Sequence, residues 1–124
     1  IDGILNSLAL DEGETEISWT QMKSIAKGVR FDVSEDVYFI KVHDAEDKMV
    51  FKIYLSPGGE FGKQDHDCLE ETTIIKGNLI DDFHPEVVYG VGETVTWQPG
   101  ELHKPICSIQ SIWKATKTKV KWQT

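Results

Sequence analysis

Long apolar runs are missing from this chain: no stretch reaches the roughly 18 residues a membrane-spanning helix needs. The N-terminus also lacks the basic start and apolar block of a secretory signal. The sequence begins with Ile1 and not Met, which leaves a processed or trimmed leader open. Positive charge is scarce too, with 13 Lys and Arg against 21 Asp and Glu and a formal net charge of -8. Such a field repels phosphate backbones and anionic headgroups, so nucleic acid and membrane surfaces are poor partner candidates and a soluble, cytoplasmic protein is expected. Cys68 and Cys107 can form at most one bridge, far below the density of small disulfide-built domains, and free thiols are the expectation. There is no low-complexity tract, no internal repeat and no linker long enough to separate two folding units. With 40% hydrophobic and 10% aromatic residues, the chain has the apolar surface for one core, and residues 1–124 are expected to form a single domain.

Helical patterning is sparse as well, confined to residues 4–10 and 20–26. What recurs instead is short segments rich in β-branched and aromatic residues. Residues 37–43 and 49–55 alternate around the polar stretch 44–47, the pattern of a hairpin. Further strands are expected at 71–76, 78–83, 87–89, 94–97, 106–116 with a break near Ser108, and 119–122. Breakers at Pro57-Gly58-Gly59, Gly77, Pro85, Gly90, Gly92 and Pro99-Gly100 separate most of them, spacing that suits an all-β sandwich or barrel.

The chemistry-bearing residues lie between Gly58 and Cys107. Gly58, Gln64, His66, Glu70 and Gly77 follow the spacing G-x5-H-x-H-x3-E-x6-G, with Gln64 where the first His belongs. Gly92, Pro99, Gly100, His103 and Cys107 follow G-x5-P-x-G-x2-H-x3-N, with the proline moved by one place and Cys107 where Asn is usual. On these two motifs, and on the fourteen residues between Gly77 and Gly92, the chain resembles the small single-domain bacterial members of the cupin superfamily. The resemblance implies a cupin-type double-stranded β-helix, the RmlC-like jelly-roll barrel, with one or two short N-terminal helices. It also implies a divalent metal ion held by Gln64, His66, Glu70 and His103.

Residue chemistry agrees with that set. Residues two apart on a strand share a face, so Gln64 and His66 can project together. Glu70 follows after a turn at 67–69, and His103 arrives from a distant strand. Two imidazoles, one carboxylate and one amide suit Fe, Mn, Ni or Zn. Gln64 is open between a weak ligand, a residue that orients a water, and a pocket residue that does not coordinate. Without it, His66, Glu70 and His103 form a two-His, one-carboxylate triad with open positions for substrate or dioxygen. Glu71 competes with Glu70 but leaves five residues before Gly77. Cys68 and Cys107 are open between thiolate ligands and small core residues. His43 and His84 are expected at the surface. Trp97, Phe39, Phe51, Tyr54 and Phe83 either line a cavity around the metal or fill the core.

The resemblance implies a metal-dependent small-molecule enzyme, dioxygenase-like or isomerase-like. The alternative is a non-catalytic barrel that binds a sugar or other small ligand as a sensor. The resemblance also implies a homodimer, since small cupins often cover their exposed barrel edges by pairing two subunits.

Overall fold

The structure, a computed structural model, describes residues 18–61 and 68–119. Among the described residues a short helix, α1 (Trp19–Ser24), is followed by nine strands: β1 (Arg30–Asp32), β2 (Val37–Asp44), β3 (Lys48–Leu55), β4 (Cys68–Lys76), β5 (Leu79–Asp81), β6 (His84–Tyr89), β7 (Thr94–Trp97), β8 (Pro105–Ile106) and β9 (Ser111–Lys119). A six-stranded antiparallel sheet runs in the order β1-β2-β3-β9-β4-β7, and a three-stranded sheet in the order β6-β5-β8.

Alternation decides which side chains face inward. Val37 and Phe39 on β2, Phe51 and Ile53 on β3, Ile74 on β4, and Trp113 and Ala115 on β9 are all buried, and they form one cluster with Leu79 of the smaller sheet. The intervening positions stay partly exposed. The β2–β3 hairpin is where the sequence puts it, with Val37 opposite Leu55 and Phe39 opposite Ile53. The expected strand at 71–76 begins earlier, at Cys68, so the expected turn at 67–69 gives way to strand at Cys68 and Leu69. Pro85 lies inside β6 and does not end it, because β6 is the last strand of its sheet and one N–H of an outer strand needs no ladder partner. β1 was not foreseen: three residues carry too little alternation to show a period. The helical segment expected at 4–10 lies outside the described residues, as does 120–122 of the expected last strand. Among the described residues no helix is long and apolar enough to cross a membrane.

Helix α1 starts where a capping box permits it. Ser18 Oγ accepts from Gln21 N–H, and Gln21 Oε1 accepts from Ser18 N–H. Six residues are too few to be stable alone, so tertiary contacts hold the helix. Trp19 and Met22 are buried, and Lys23 reaches Asp44 and the Ala45 carbonyl at the tip of the β2–β3 hairpin. The fully buried Lys41 donates to the other Asp44 oxygen at 2.9 Å and to the Lys23 carbonyl at 3.3 Å. Gly77 fits its turn for two reasons. Its φ is +80°, and a Cβ there would lie 2.4 Å from the Gln110 carbonyl and 2.1 Å from Ser111 Oγ.

Hydrogen bonds from Lys23, then Lys41, hold the Asp44 carboxyl below its ordinary value of 3.8. A depressed folded value adds stability above the unfolded value and loses it as pH falls through the folded one. The wild-type urea midpoint should therefore drop as acid is added below about pH 5. Asp44→Asn should start lower at neutral pH and fall less steeply. An identical acid limb in both proteins would remove Asp44 from the account.

Candidate functional site

The site grows from the register of three strands. Glu70 on β4 stands opposite Lys117 on β9 and opposite Trp97 on β7, so one row across the inner face of the sheet reads Lys117, Glu70, Trp97. All three are buried, Glu70 to 4% and Lys117 to 5% exposure. Lys117 Nζ is 3.1 Å from Glu70 Oε1, and Thr72, two residues along the same face, donates its hydroxyl to Oε2 at 2.8 Å.

His103 comes in from the segment before β8. Its ring stacks on Trp97, with centroids 4.1 Å apart and planes 10° from parallel. Its Nδ1 lies 3.0 Å from the Glu101 carbonyl oxygen. A carbonyl only accepts, so Nδ1 carries the proton, and in the neutral ring Nε2 then presents its lone pair. That Nε2 lies 3.8 Å from Glu70 Oε1, and His103 is fully buried.

The segment holding His103 is anchored by Asp81, at the end of β5. Asp81 Oδ1 accepts from the backbone N–H of Phe83 and of Lys104, both at 3.1 Å, and Oδ2 accepts from the Trp97 indole at 3.3 Å. One buried carboxylate thus ties the smaller sheet to both the Trp97 platform and the residue after His103. Beside Glu70 a recess of about 10 Å³, room for one oxygen-sized group, is walled by Ile53, Phe61, Pro105, Trp113 and Lys117. A larger groove, about 180 Å³, opens around Arg30, Tyr38 and Tyr54 and holds neither Glu70 nor His103.

No family model matches the chain, and no curated protein matches it. Solved structures do. An RmlC-like cupin from Shewanella frigidimarina superposes with a TM-score of 0.68 at 17% identity, over 76% of this chain and 86% of that one. The chain has the cupin fold. KdgF from a Halomonas species gives a TM-score of 0.68 at 11% identity, over 75% of this chain and 89% of that one. An acetylacetone dioxygenase from Acinetobacter johnsonii gives 0.64 at 14% identity, over 77% and 71%. Of some longer matched chains, this chain spans about half, 47% to 58% of their length.

Within this cupin fold the motif residues separate into three groups. Glu70 and His103 face each other. Gln64 and His66 lie outside the described residues. Cys107, in the place of the motif Asn, fastens the turn that opens the first motif: its N–H and carbonyl pair with Gly59 and Gly58, and its thiol donates to the Ser56 carbonyl at 3.3 Å. Burial pushes the Cys107 thiol up from its ordinary value, which disfavours a thiolate there. Cys68 is buried at the start of β4. Glu71 is exposed, so the choice between neighbouring carboxylates falls to Glu70. His43 and His84 are exposed, as expected. Of the five aromatics, Trp97 backs His103, and Phe39 and Phe51 belong to the core. Tyr54 instead points away from the core and stacks on Tyr38, and Phe83 is 43% exposed.

Among the described residues no three His, Cys, Asp or Glu side chains come together as a metal group; Glu70 and His103 supply two donors. Those two fit an ion. Bonds of about 2.0–2.2 Å from each donor span a 3.8 Å separation, and the tautomer with its proton on Nδ1 is the one that leaves Nε2 able to bind a metal. Sequence reasoning missed Lys117, Asp81 and Thr72. Lys117 has the strand parity of Trp113 and Ala115, and Asp81 that of Leu79; parity was the signal available for both.

Asp81→Asn should cost about 2–3 kcal/mol, because an amide presents N–H groups where an N–H donor already points. Urea denaturation measures it, and a loss below about 0.5 kcal/mol would mean the three contacts carry little.

Proposed function

We propose that this cupin is a metal-binding protein in which Gln64, His66, Glu70 and His103 hold one divalent ion, Fe, Mn, Ni or Zn, and that it acts on a small molecule. The supporting observation is the facing pair: a buried imidazole nitrogen, its tautomer set by the Glu101 carbonyl, 3.8 Å from a buried carboxylate oxygen on a different strand. When bound, the ion would supply Lewis-acid polarisation or activation of dioxygen. The chain's own residues do the rest. Glu101 and Trp97 fix the imidazole plane, Thr72 and Lys117 hold the carboxylate, and the apolar walls of the recess exclude water. Likeness to an acetylacetone dioxygenase makes oxygen-dependent cleavage of an enol or diketone the first reaction to test. The narrow recess favours a second reading, a binding barrel without turnover.

Elemental analysis of protein purified without added metal should find one ion per chain, and oxygen uptake over a panel of enols and diketones separates enzyme from binder. His103→Ala should weaken metal retention by more than the roughly 10–100-fold that an outer partner costs, and Gln64→Ala by less. Gln64→His should tighten it. Equal losses from the two alanine variants would overturn this ranking of the ligands.

A homodimer belongs to the same proposal. Strand β6 ends its sheet and exposes Val87 and Val88 at 44% and 55%. Light scattering should return twice the 14.0 kDa chain mass; the chain mass itself would exclude the dimer.

A further inference from the structure

Beyond the row of Lys117 and Glu70, the same strand parity continues to Lys119 and Cys68, which stand opposite each other where β9 and β4 stop pairing. Cys68 is fully buried, and the Lys119 ammonium lies 5.8 Å from the centre of the Trp19 ring. Trp19 and Met22 of α1 belong to the same core cluster as Cys68. Helix α1 therefore sits at this end of the large sheet, one row from Glu70. It is held there by side chains. Among the described residues α1 makes no backbone hydrogen bond to a strand, and the chain first joins the sheet at Gly28, whose N–H donates to the Lys41 carbonyl. The polar anchors converge on Asp44. Lys23 of α1 reaches one of its oxygens and the neighbouring Ala45 carbonyl; the fully buried Lys41 of β2 reaches the other oxygen at 2.9 Å and the Lys23 carbonyl at 3.3 Å.

We propose that α1 is a latch over this end of the barrel, keyed by Asp44, and that it lifts as a unit to open a way to Cys68 and, one row further in, to Glu70 and Lys117. The inference holds whether or not the barrel binds a metal. Lys41 explains the key. While Asp44 is ionised, the buried ammonium has a carboxylate on one side and the α1 carbonyl on the other. With that carboxylate protonated, or replaced by an amide, a buried charge keeps only neutral partners, and lifting α1 is what admits water to it. The charged groups that face Asp44 are Lys23 from α1 and Lys41 from β2, with the Ala45 carbonyl of the hairpin turn beside Lys23; among the described residues no second carboxylate pairs with either lysine. Once lifted, six residues have too few internal bonds to stay helical, so release and unwinding coincide. Every strand pairing survives the opening, which is why it costs less than global unfolding.

The test labels Cys68 with dithiodipyridine, which reacts with thiols at acid as well as neutral pH, in the full chain carrying Cys107→Ser and over a urea series below the unfolding transition. In this background Cys68 should react through an opening whose urea slope is less than about half that of global unfolding. Adding Asp44→Asn should raise the labelling rate at pH 7 by at least about tenfold at an unchanged slope, and the ratio of the two rates should shrink as pH falls toward about 3, where the wild-type carboxylate is itself protonated. Exchange of the bonded amides of Met22 and Ile25 should accelerate with the labelling, while exchange of residues 112–116 follows global stability. A labelling slope equal to the global one, or an Asp44→Asn rate within about twofold of the background, overturns the proposal, and so does labelling that accelerates without exchange in α1. Should Asp44→Asn fail to fold, Lys23→Met removes the α1 side alone and leaves the Lys41–Asp44 pair in place, and the same acceleration at an unchanged slope is expected of it.

Discussion

The pairing of β4 with β9 on one side and β7 on the other is the constraint from which the site follows. It sets Lys117, Glu70 and Trp97 in one inward row. Side chains alternate with a period of two, so a slip of β4 by one residue would send Glu70 to solvent, bring Glu71 inward and break the row. The charges themselves oppose such a slip only as a pair. Removing one member of a buried ion pair costs about 3–5 kcal/mol, a large part of what holds a small domain folded, whereas the intact pair adds little over an apolar replacement.

The imidazole depends on a second constraint, the joint between the two sheets. Asp81 belongs to the smaller sheet, yet its carboxylate receives the Trp97 indole from the larger one and the N–H of Lys104 next to His103. Ring stacking on Trp97 and the Glu101 carbonyl then leave His103 one plane and one tautomer. Trp97 and Glu101 touch the ring directly, whereas Asp81 acts on it only through Trp97 and the Lys104 backbone.

Much of this was legible in the sequence, and the parts that were not have physical reasons. The hairpin from Val37 to Leu55 alternates along the whole of β3 and from Val37 to Lys41 in β2, and both its strands emerged. The resemblance carried by Gly58, Glu70, Gly77, Gly92 and His103 led to the cupin fold, and it chose Glu70 over Glu71 by spacing, the choice that burial supports. Strand β1 and the first residues of β6 escaped, although a strand at 87–89 was expected there, because a three-residue strand shows no period and Pro85 is read as a breaker. Lys117 and Asp81 escaped for a different reason: lysine and aspartate are almost always solvated, so composition argues against an inward place even where parity allows it. Tyr54 was misjudged in the opposite sense, as an aromatic left open between cavity and core whose parity sends it to the Tyr38 side.

The distribution of charge bears on how any ligand reaches this fold. The chain as a whole carries -8, while Lys117 and Glu70 form a buried pair of opposite charges, beside which a bound cation would add positive charge. At physiological ionic strength the acidic surface acts over only about 8 Å. Beyond that range it exerts little force, and within it the surface repels an anion instead of guiding it. A buried ammonium cannot offset this during approach, because its field is felt strongly only once water has been excluded. An anionic ligand would thus arrive slowly, faster as salt is raised, and its selection would rest on how tightly it is held inside. Selection of that kind needs a rigid, water-poor wall. Beside Glu70 and Lys117 the described walls, Ile53, Phe61, Pro105 and Trp113, are apolar.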